Sequence, residues 1–255
     1  MILNLIERGA GPPVALLHGL FGQALNFGTL QRRLAPTHRV LALDLRSHGQ
    51  SPHGPMDYPT MAVDVLETLS AAGALPCALL GHSMGGKTAM MAALADPPAI
   101  TRLIVADIAP IPYPPHFRAH LDAMQAIRLT PTLTRPEAEA ALAEVEPDPR
   151  VRAFLAQNLR TGPDPSWRIS IPDIAASLNA IGGWPETHEM HYDGPTLVIA
   201  GERSTYVPPD SRALFRALFP NARFAVLKDA GHWLHADAPG PFAELVGAFL
   251  AASPP

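Results

Sequence analysis

The chain of 255 residues has little of several things that would otherwise suggest a function. It has one cysteine, Cys77, which excludes an internal disulfide and any metal site built from several thiolates. Cys77 opens the apolar run Cys77-Ala78-Leu79-Leu80 and reads as a buried structural thiol. Lysine is almost missing: Lys87 and Lys228 are the two lysines among 19 basic residues. There is no basic tract and the net charge is −4, so nucleic acid is not an expected partner. No apolar run reaches the roughly 18 residues that a membrane span needs. The stretch Met1–Arg8 lacks the cationic start and long apolar centre of a signal peptide, so the expected location is cytoplasmic. No H-E-x-x-H, G-x-G-x-x-G or P-loop pattern occurs, and neither a metal nor a cofactor is expected.

What the chain does have is apolar bulk, 47% hydrophobic against 16% charged residues, which excludes a disordered or collagen-like polymer. The apolar residues fall into short runs without polar alternation: Val14 to Leu17, Arg39 to Leu43, Cys77 to Leu80, Leu103 to Ala106, Thr196 to Ala200 and Phe224 to Leu227. Such runs predict parallel strands covered on both faces. Helical patterns lie between them, at Thr60 to Ala72, Met84 to Ala95, Asp210 to Leu218 and Pro241 to Leu250. The alternation predicts an α/β protein with a mostly parallel central sheet flanked by helices.

From about Ile111 to Tyr192 that rhythm stops. Prolines divide the segment into four helical patterns, His116 to Arg128, Glu137 to Glu146, Arg150 to Arg160 and Pro172 to Ile181, and no strand is evident. The expected organisation is a core of residues 1–110 and 193–255, with a helical cap of residues 111–192 inserted after the strand that ends at Asp107. An insert leaving the carboxyl end of a strand sits over the crevice where such sheets bind ligands.

Gly81-His82-Ser83-Met84-Gly85 fits G-x-S-x-G and lies between a strand and a helix, the context that a nucleophile elbow requires. Ser83 is the candidate nucleophile. His232, in Gly231-His232 after the last strand, is the candidate base; His235 reads instead as a packing group. His18-Gly19-Leu20-Phe21-Gly22 follows the first strong strand, and the Leu20 or Phe21 N–H would pair with that of Met84 as an oxyanion hole. His18, His48 and His82 read as structural. Two places offer a carboxylate to orient the histidine: Asp107, and Glu202 in the loop after Thr196 to Ala200. Lys87, one helical turn past Ser83, reads as a structural contact rather than a base.

The chain resembles the α/β-hydrolase superfamily over nearly its whole length, and within it the group that contains the YbfF esterase and abhydrolase-domain-containing protein 11. The matching segments are His18-Gly19-Leu20-Phe21-Gly22, Asp44-Leu45-Arg46-Ser47-His48-Gly49-Gln50-Ser51, Gly81 to Met90, Asp107-Ile108-Ala109-Pro110 and Gly231 to Ala236. The fit departs at Arg46-Ser47-His48-Gly49, where asparagine usually precedes the histidine. The resemblance implies a serine esterase or thioesterase with Ser83 as nucleophile, His232 as base and Asp107 as acid. Ser204, where an aspartate is usual elsewhere in the superfamily, becomes an auxiliary residue.

The expected substrate is a small-molecule acyl ester or thioester of small to medium chain length, with Phe117 and Trp184 among the cap residues that bind it. The cap arginines Arg118, Arg128, Arg152 and Arg160 read as a solvated face, with an anionic leaving group as the other use for them. The same residues would serve a cofactor-free lyase, an acyltransferase or a C–C hydrolase, and a ligand-binding protein could retain the scaffold.

Overall fold

Residues with apolar side chains on both sides of the backbone can only be satisfied inside a sheet covered on both faces. The computed structural model, which describes residues 1–114, 117–187 and 189–252, builds such a sheet. Its strands are β1 (Leu5–Arg8), β2 (Pro13–Leu17), β3 (Arg39–Leu43), β4 (Cys77–His82), β5 (Ile100–Ala106), β8 (Thr196–Gly201) and β9 (Ala222–Leu227). Their spatial order is β1-β3-β2-β4-β5-β8-β9, parallel throughout except for β1, which runs antiparallel to β3. Successive residues serve opposite faces, as the twofold period of a strand demands. Leu79 and Val105 enter one apolar cluster with Val65 and Met90, whereas Leu80 and Ile104 enter another with Leu30 and Phe242.

The first cluster is roofed by α2 (Tyr58–Ala71) and α3 (Met84–Ala95), the second by α1 (Gly28–Leu34) and α10 (Pro239–Ala251). The helix α8 (Ser211–Leu218) lies between β8 and β9, and α9 (Leu234–Asp237) precedes α10. Between β5 and β8 the chain forms α4 (Arg118–Ala126), α5 (Arg135–Ala141), α6 (Pro149–Ala156), a hairpin of β6 (Leu159–Arg160) and β7 (Ser166–Trp167), and α7 (Ile171–Gly182). Proline stands in the first turn of α5, α6 and α7, where its missing N–H costs nothing. Thr134, Asp148 and Ser170 cap those turns by accepting from backbone N–H groups.

Several elements differ from the sequence reading. The strand β1 was not expected, because its outer residues Glu7 and Arg8 are exposed and charged as befits an edge, and Glu7 pairs with Arg39 of β3. The β6–β7 hairpin gives the insert two strands of two residues each, too short to leave a periodic signal. Helix α1 opens on Gly28, a poor helix former. The expected start of the first insert helix, His116, lies outside the described residues. No helix among the described residues is long and apolar enough to cross a membrane.

Candidate active site

The strand β4 ends in a tight turn. Ser83 adopts φ 54° and ψ −120°, a conformation that side chains avoid and that persists only where the surroundings enforce it. The glycines are obligatory: a Cβ on Gly81 would stand 2.0 Å from the Gly85 carbonyl oxygen, and one on Gly85 would stand 2.3 Å from that of Leu17. The Ser83 N–H donates to the Ala106 carbonyl at 3.0 Å, which ties the turn to β5. Ser83 Oγ is thereby held at the carboxyl edge of the sheet, at the N-terminus of α3.

Three strand ends converge there. His232, in the loop after β9, accepts from the Ser83 hydroxyl at Nε2 (3.0 Å) and donates from Nδ1 to Asp107 Oδ2 (2.7 Å). Asp107 follows β5 and is wholly buried. A buried carboxylate is tolerable only when its lone pairs are used. Here Oδ1 accepts from the Gly201 N–H at 2.9 Å, and Oδ2 accepts from both His232 and the Ser204 hydroxyl. Glu202 is exposed, and its Oε2 accepts from the Asp229 N–H, away from the imidazole. The two carboxylate candidates left open by the loop positions are thus separated by geometry: Asp107 reaches His232 and Glu202 does not.

Of the two expected oxyanion donors from the His18–Gly22 loop, Phe21 must be corrected. Its N–H donates to His48 Nε2 at 3.1 Å, and its φ of 62° turns the chain toward that ring. The Leu20 and Met84 N–H groups have no hydrogen-bond partner among the described residues, and both residues line the cavity beside Ser83. The His48 tautomer follows: with Nε2 accepting, Nδ1 carries the proton and donates to the Arg46 carbonyl. The same logic fixes His18, whose Nε2 accepts from the Leu45 N–H while Nδ1 donates to the Gly19 carbonyl.

His82 donates from Nε2 to the His232 carbonyl at 2.7 Å, holding the backbone of the candidate base. His235 packs against Phe27 and His82. Burial pushes all four of these rings down, His18 and His235 to about 4, His48 to about 3 and His82 well below the ordinary histidine value. They are neutral scaffolding. Ser47 fills the place where asparagine was expected, at φ 61°, in the left-handed region that asparagine tolerates better than serine. Its hydroxyl donates to the Gly54 carbonyl, a local bond that supports the turn.

Above Ser83 lies a cavity of about 320 Å³. The insert gives it Phe117, Val151, Phe154, Leu155, Leu178 and Ile181; the core contributes the loops just described. Phe117 meets Phe21 edge-on, with ring centroids 5.5 Å apart. Trp184 is a second correction. It does not line this cavity but packs against Tyr58 at 6.2 Å and borders a separate shallow depression with Met190 and Leu214. The cause is the turn just before it. The Lys87 ammonium donates to the carbonyls of Gly182 and Gly183 at 3.2 and 2.6 Å, which fastens the end of α7 to the nucleophile helix and carries residue 184 past the cavity.

Among the described residues Lys87 therefore has no carboxylate partner for an ion pair, and its hydrogen bonds go to backbone carbonyls. Burial lowers it to about 7, and it lies over the rings of Tyr58 and Tyr113. None of the cap arginines lines the cavity; Arg118 is exposed and pairs with Asp122. No cluster of metal-ligating side chains occurs among the described residues. Two residues at the site escaped the sequence reading: Tyr206, whose ring stacks on His232, and Tyr113, whose hydroxyl donates to the Tyr206 carbonyl. Tyr206 stands two residues past Ser204, in the loop searched only for a carboxylate.

The chain is similar to known proteins over most of its length. A family model described as the alpha/beta hydrolase fold matches residues 12–239. The sn-1-specific diacylglycerol lipase ABHD11 of Mus musculus is 40% identical, over 97% of this chain and 84% of its own. Esterase YbfF of Escherichia coli (strain K12) is 36% identical, over 93% of this chain and 92% of its own. Among solved structures, a marine microorganism esterase superposes with a TM-score of 0.93 at 32% identity, covering 97% of this chain and 99% of the other.

Proposed function

This chain belongs to the α/β hydrolase family, and from that premise we propose that it is a serine esterase, acting on small to medium acyl esters or thioesters through an acyl-enzyme. Ser83 attacks the acyl carbonyl while His232 Nε2 takes its proton. Asp107 holds the imidazole in the tautomer with the proton on Nδ1 and stabilises the imidazolium as it forms. The Leu20 and Met84 N–H groups bind the oxyanion, each worth ~10²–10³ in rate. The imidazolium then protonates the departing alcohol or thiol, and the same nitrogen activates the water that releases the acid. Ser204 supports the acid by donating to it.

Residues 111–192 act as a cap whose apolar side chains hold the acyl group. The cavity, about 320 Å³, is at the small end of ligand pockets, which suits short and medium chains better than long ones. The observation that carries the reading is the continuous hydrogen-bond chain from Ser83 through His232 to the buried Asp107.

The test is covalent labelling with a fluorophosphonate together with turnover of graded 4-nitrophenyl and coenzyme A esters. Wild type should label once, at Ser83, and turn over steadily. Ser83→Ala should lose about six orders of magnitude in kcat while remaining folded. A folded Ser83→Ala enzyme that keeps more than about a tenth of its activity sinks the assignment, since no triad tolerates loss of its nucleophile so well. Labelling without turnover of any ester would favour a ligand-binding protein on the same scaffold.

A further inference from the structure

A histidine that must face a serine on one side and a carboxylate on the other needs its ring plane fixed as well as its two nitrogens. The hydrogen bonds to Ser83 and Asp107 lie along the plane and resist sliding, but a ring can still tip about the line that joins them. One face of His232 is covered by the Tyr206 ring, with centroids 4.0 Å apart and planes inclined by 23°. Tyr206 is itself anchored at both backbone groups. Its N–H donates to Ser204 Oγ at 3.2 Å, and that hydroxyl donates on to Asp107. Its carbonyl accepts from the Tyr113 hydroxyl at 2.6 Å, which in turn accepts from the Ala109 N–H at 3.0 Å.

The contacts form a closed ring: Asp107 to Ser204, Ser204 to Tyr206, Tyr206 to His232, and His232 back to Asp107. Tyr113 buttresses that ring from the first residues of the insert. Its N–H donates to the Gly182 carbonyl at the end of α7, and its own ring lies under the Lys87 ammonium at 4.7 Å. The insert is thus joined to the candidate base through two aromatic rings.

We propose that Tyr206 is a positioning residue that fixes the plane of His232, and that Tyr113 holds Tyr206 in place, so that an aligned base requires a docked insert. The inference rests on the reading of His232 as the base. Face-to-face contact does the positioning, so the ring of Tyr206 carries the effect. In Tyr113 the hydroxyl carries the link.

The experiment compares Tyr206→Leu, Tyr206→Phe and Tyr113→Phe in the full chain, with 4-nitrophenyl butyrate as substrate. Tyr206→Leu is expected to lower kcat by about 10- to 100-fold, the scale of a misplacement near 1 Å. KM should stay within about threefold, because an effect confined to the reacting geometry leaves ground-state binding alone. The rate of fluorophosphonate labelling at Ser83 should fall in proportion. Tyr206→Phe should restore kcat to within about threefold of wild type, and Tyr113→Phe should lose about three- to tenfold in kcat, on the same misplacement scale.

A Tyr206→Leu enzyme with unchanged kcat overturns the proposal, as does a Tyr206→Phe enzyme as slow as the leucine variant. A Tyr113→Phe enzyme with unchanged kcat removes the buttress, and it decides the matter if Tyr206→Leu does not fold. His232→Ala separates the two readings: if it is crippled while Tyr206→Leu is not, the base stands and the brace falls; if His232→Ala stays active, the base assignment itself is wrong.

Discussion

The two halves of the cavity are built on different terms. The sheet-borne half consists of strand-end loops in which polar groups are tied down: Asp107 accepts three hydrogen bonds, His18 and His48 each have both ring nitrogens engaged, and His82 grips the backbone of His232. The insert half offers chiefly apolar surface, from Phe117 at the start of α4 and from Val151, Phe154, Leu155 and Ile181 on short helices that prolines begin. The difference teaches where each kind of information sits. Groups that must meet within a few tenths of an ångström stand on the rigid element. Groups that need only shape stand on the part that can vary.

The largest effect that would break this division comes from the acid. Asp107→Asn is expected to lower kcat by about 10⁴, since it leaves the geometry but upsets the tautomer. Glu202→Gln should cost less than about tenfold and Ser204→Ala an intermediate amount, scaled from the same triad logic. Steady-state kinetics of the three variants decides; the opposite ranking would falsify the role given to Asp107.

Acid stability probes the polar half as a whole. His18, His48, His82 and His235 are neutral in the fold, with values pushed below the ordinary 6.5 to about 4 for His18 and His235 and about 3 for His48. Below 6.5 the unfolded chain takes up protons that the folded chain refuses, so stability present above 6.5 is lost progressively as pH falls toward 4. The scale is about 1.4 kcal/mol for each pH unit that one such histidine spans. Unfolding free energies from urea titrations at pH 8 to 4 should be flat at first and then drop by several kcal/mol across that window. An unfolding free energy that holds steady down to about 4.5, well below the ordinary histidine range, would contradict the neutral rings.

The smallest effects concern the insert. Phe117→Ala should change the ratio of kcat/KM between short and medium esters by about tenfold, the worth of roughly one methylene of fit. Trp184→Ala should leave that ratio alone, because its ring faces Tyr58 and the outer depression. If Trp184→Ala shifts the ratio and Phe117→Ala does not, the wall of the acyl site has been drawn in the wrong place.

The same contrast explains what could be read from the residues alone. Strand ends are legible because a parallel sheet needs unbroken apolar runs, and a glycine-rich elbow can form in few other ways; hence Ser83 and His232 stand out as candidates in the sequence, with Asp107 as one of two carboxylates that the loop positions leave open. Phe21 misled because two adjacent N–H groups look alike in sequence, and the choice between them depends on a histidine 27 residues away. Trp184 misled because an aromatic in an apolar insert has no period to say which way it faces; the turn fixed by Lys87 decides that. Tyr206 carried no signal at all, since stacking is made between loops that only the assembled sheet brings together.

Asp107 is also the last residue before the chain leaves the sheet. It sits at φ 52°, with its N–H on the Ile199 carbonyl and its carboxylate on Gly201, Ser204 and His232. The consequence is one of modularity. The insert departs from a residue clamped in place by the machinery it covers, so helices beyond that point can be exchanged or lengthened without transmitting torque to the acid. The upstream splice for a transplanted cap belongs after Tyr113 and the downstream one before Gly182, which keeps both the tyrosine link and the lysine fastening in the recipient. A chimera joined closer to Asp107 should fold around the same sheet and lose turnover, whereas one joined at those bounds should acquire the donor's chain-length preference at the recipient's speed.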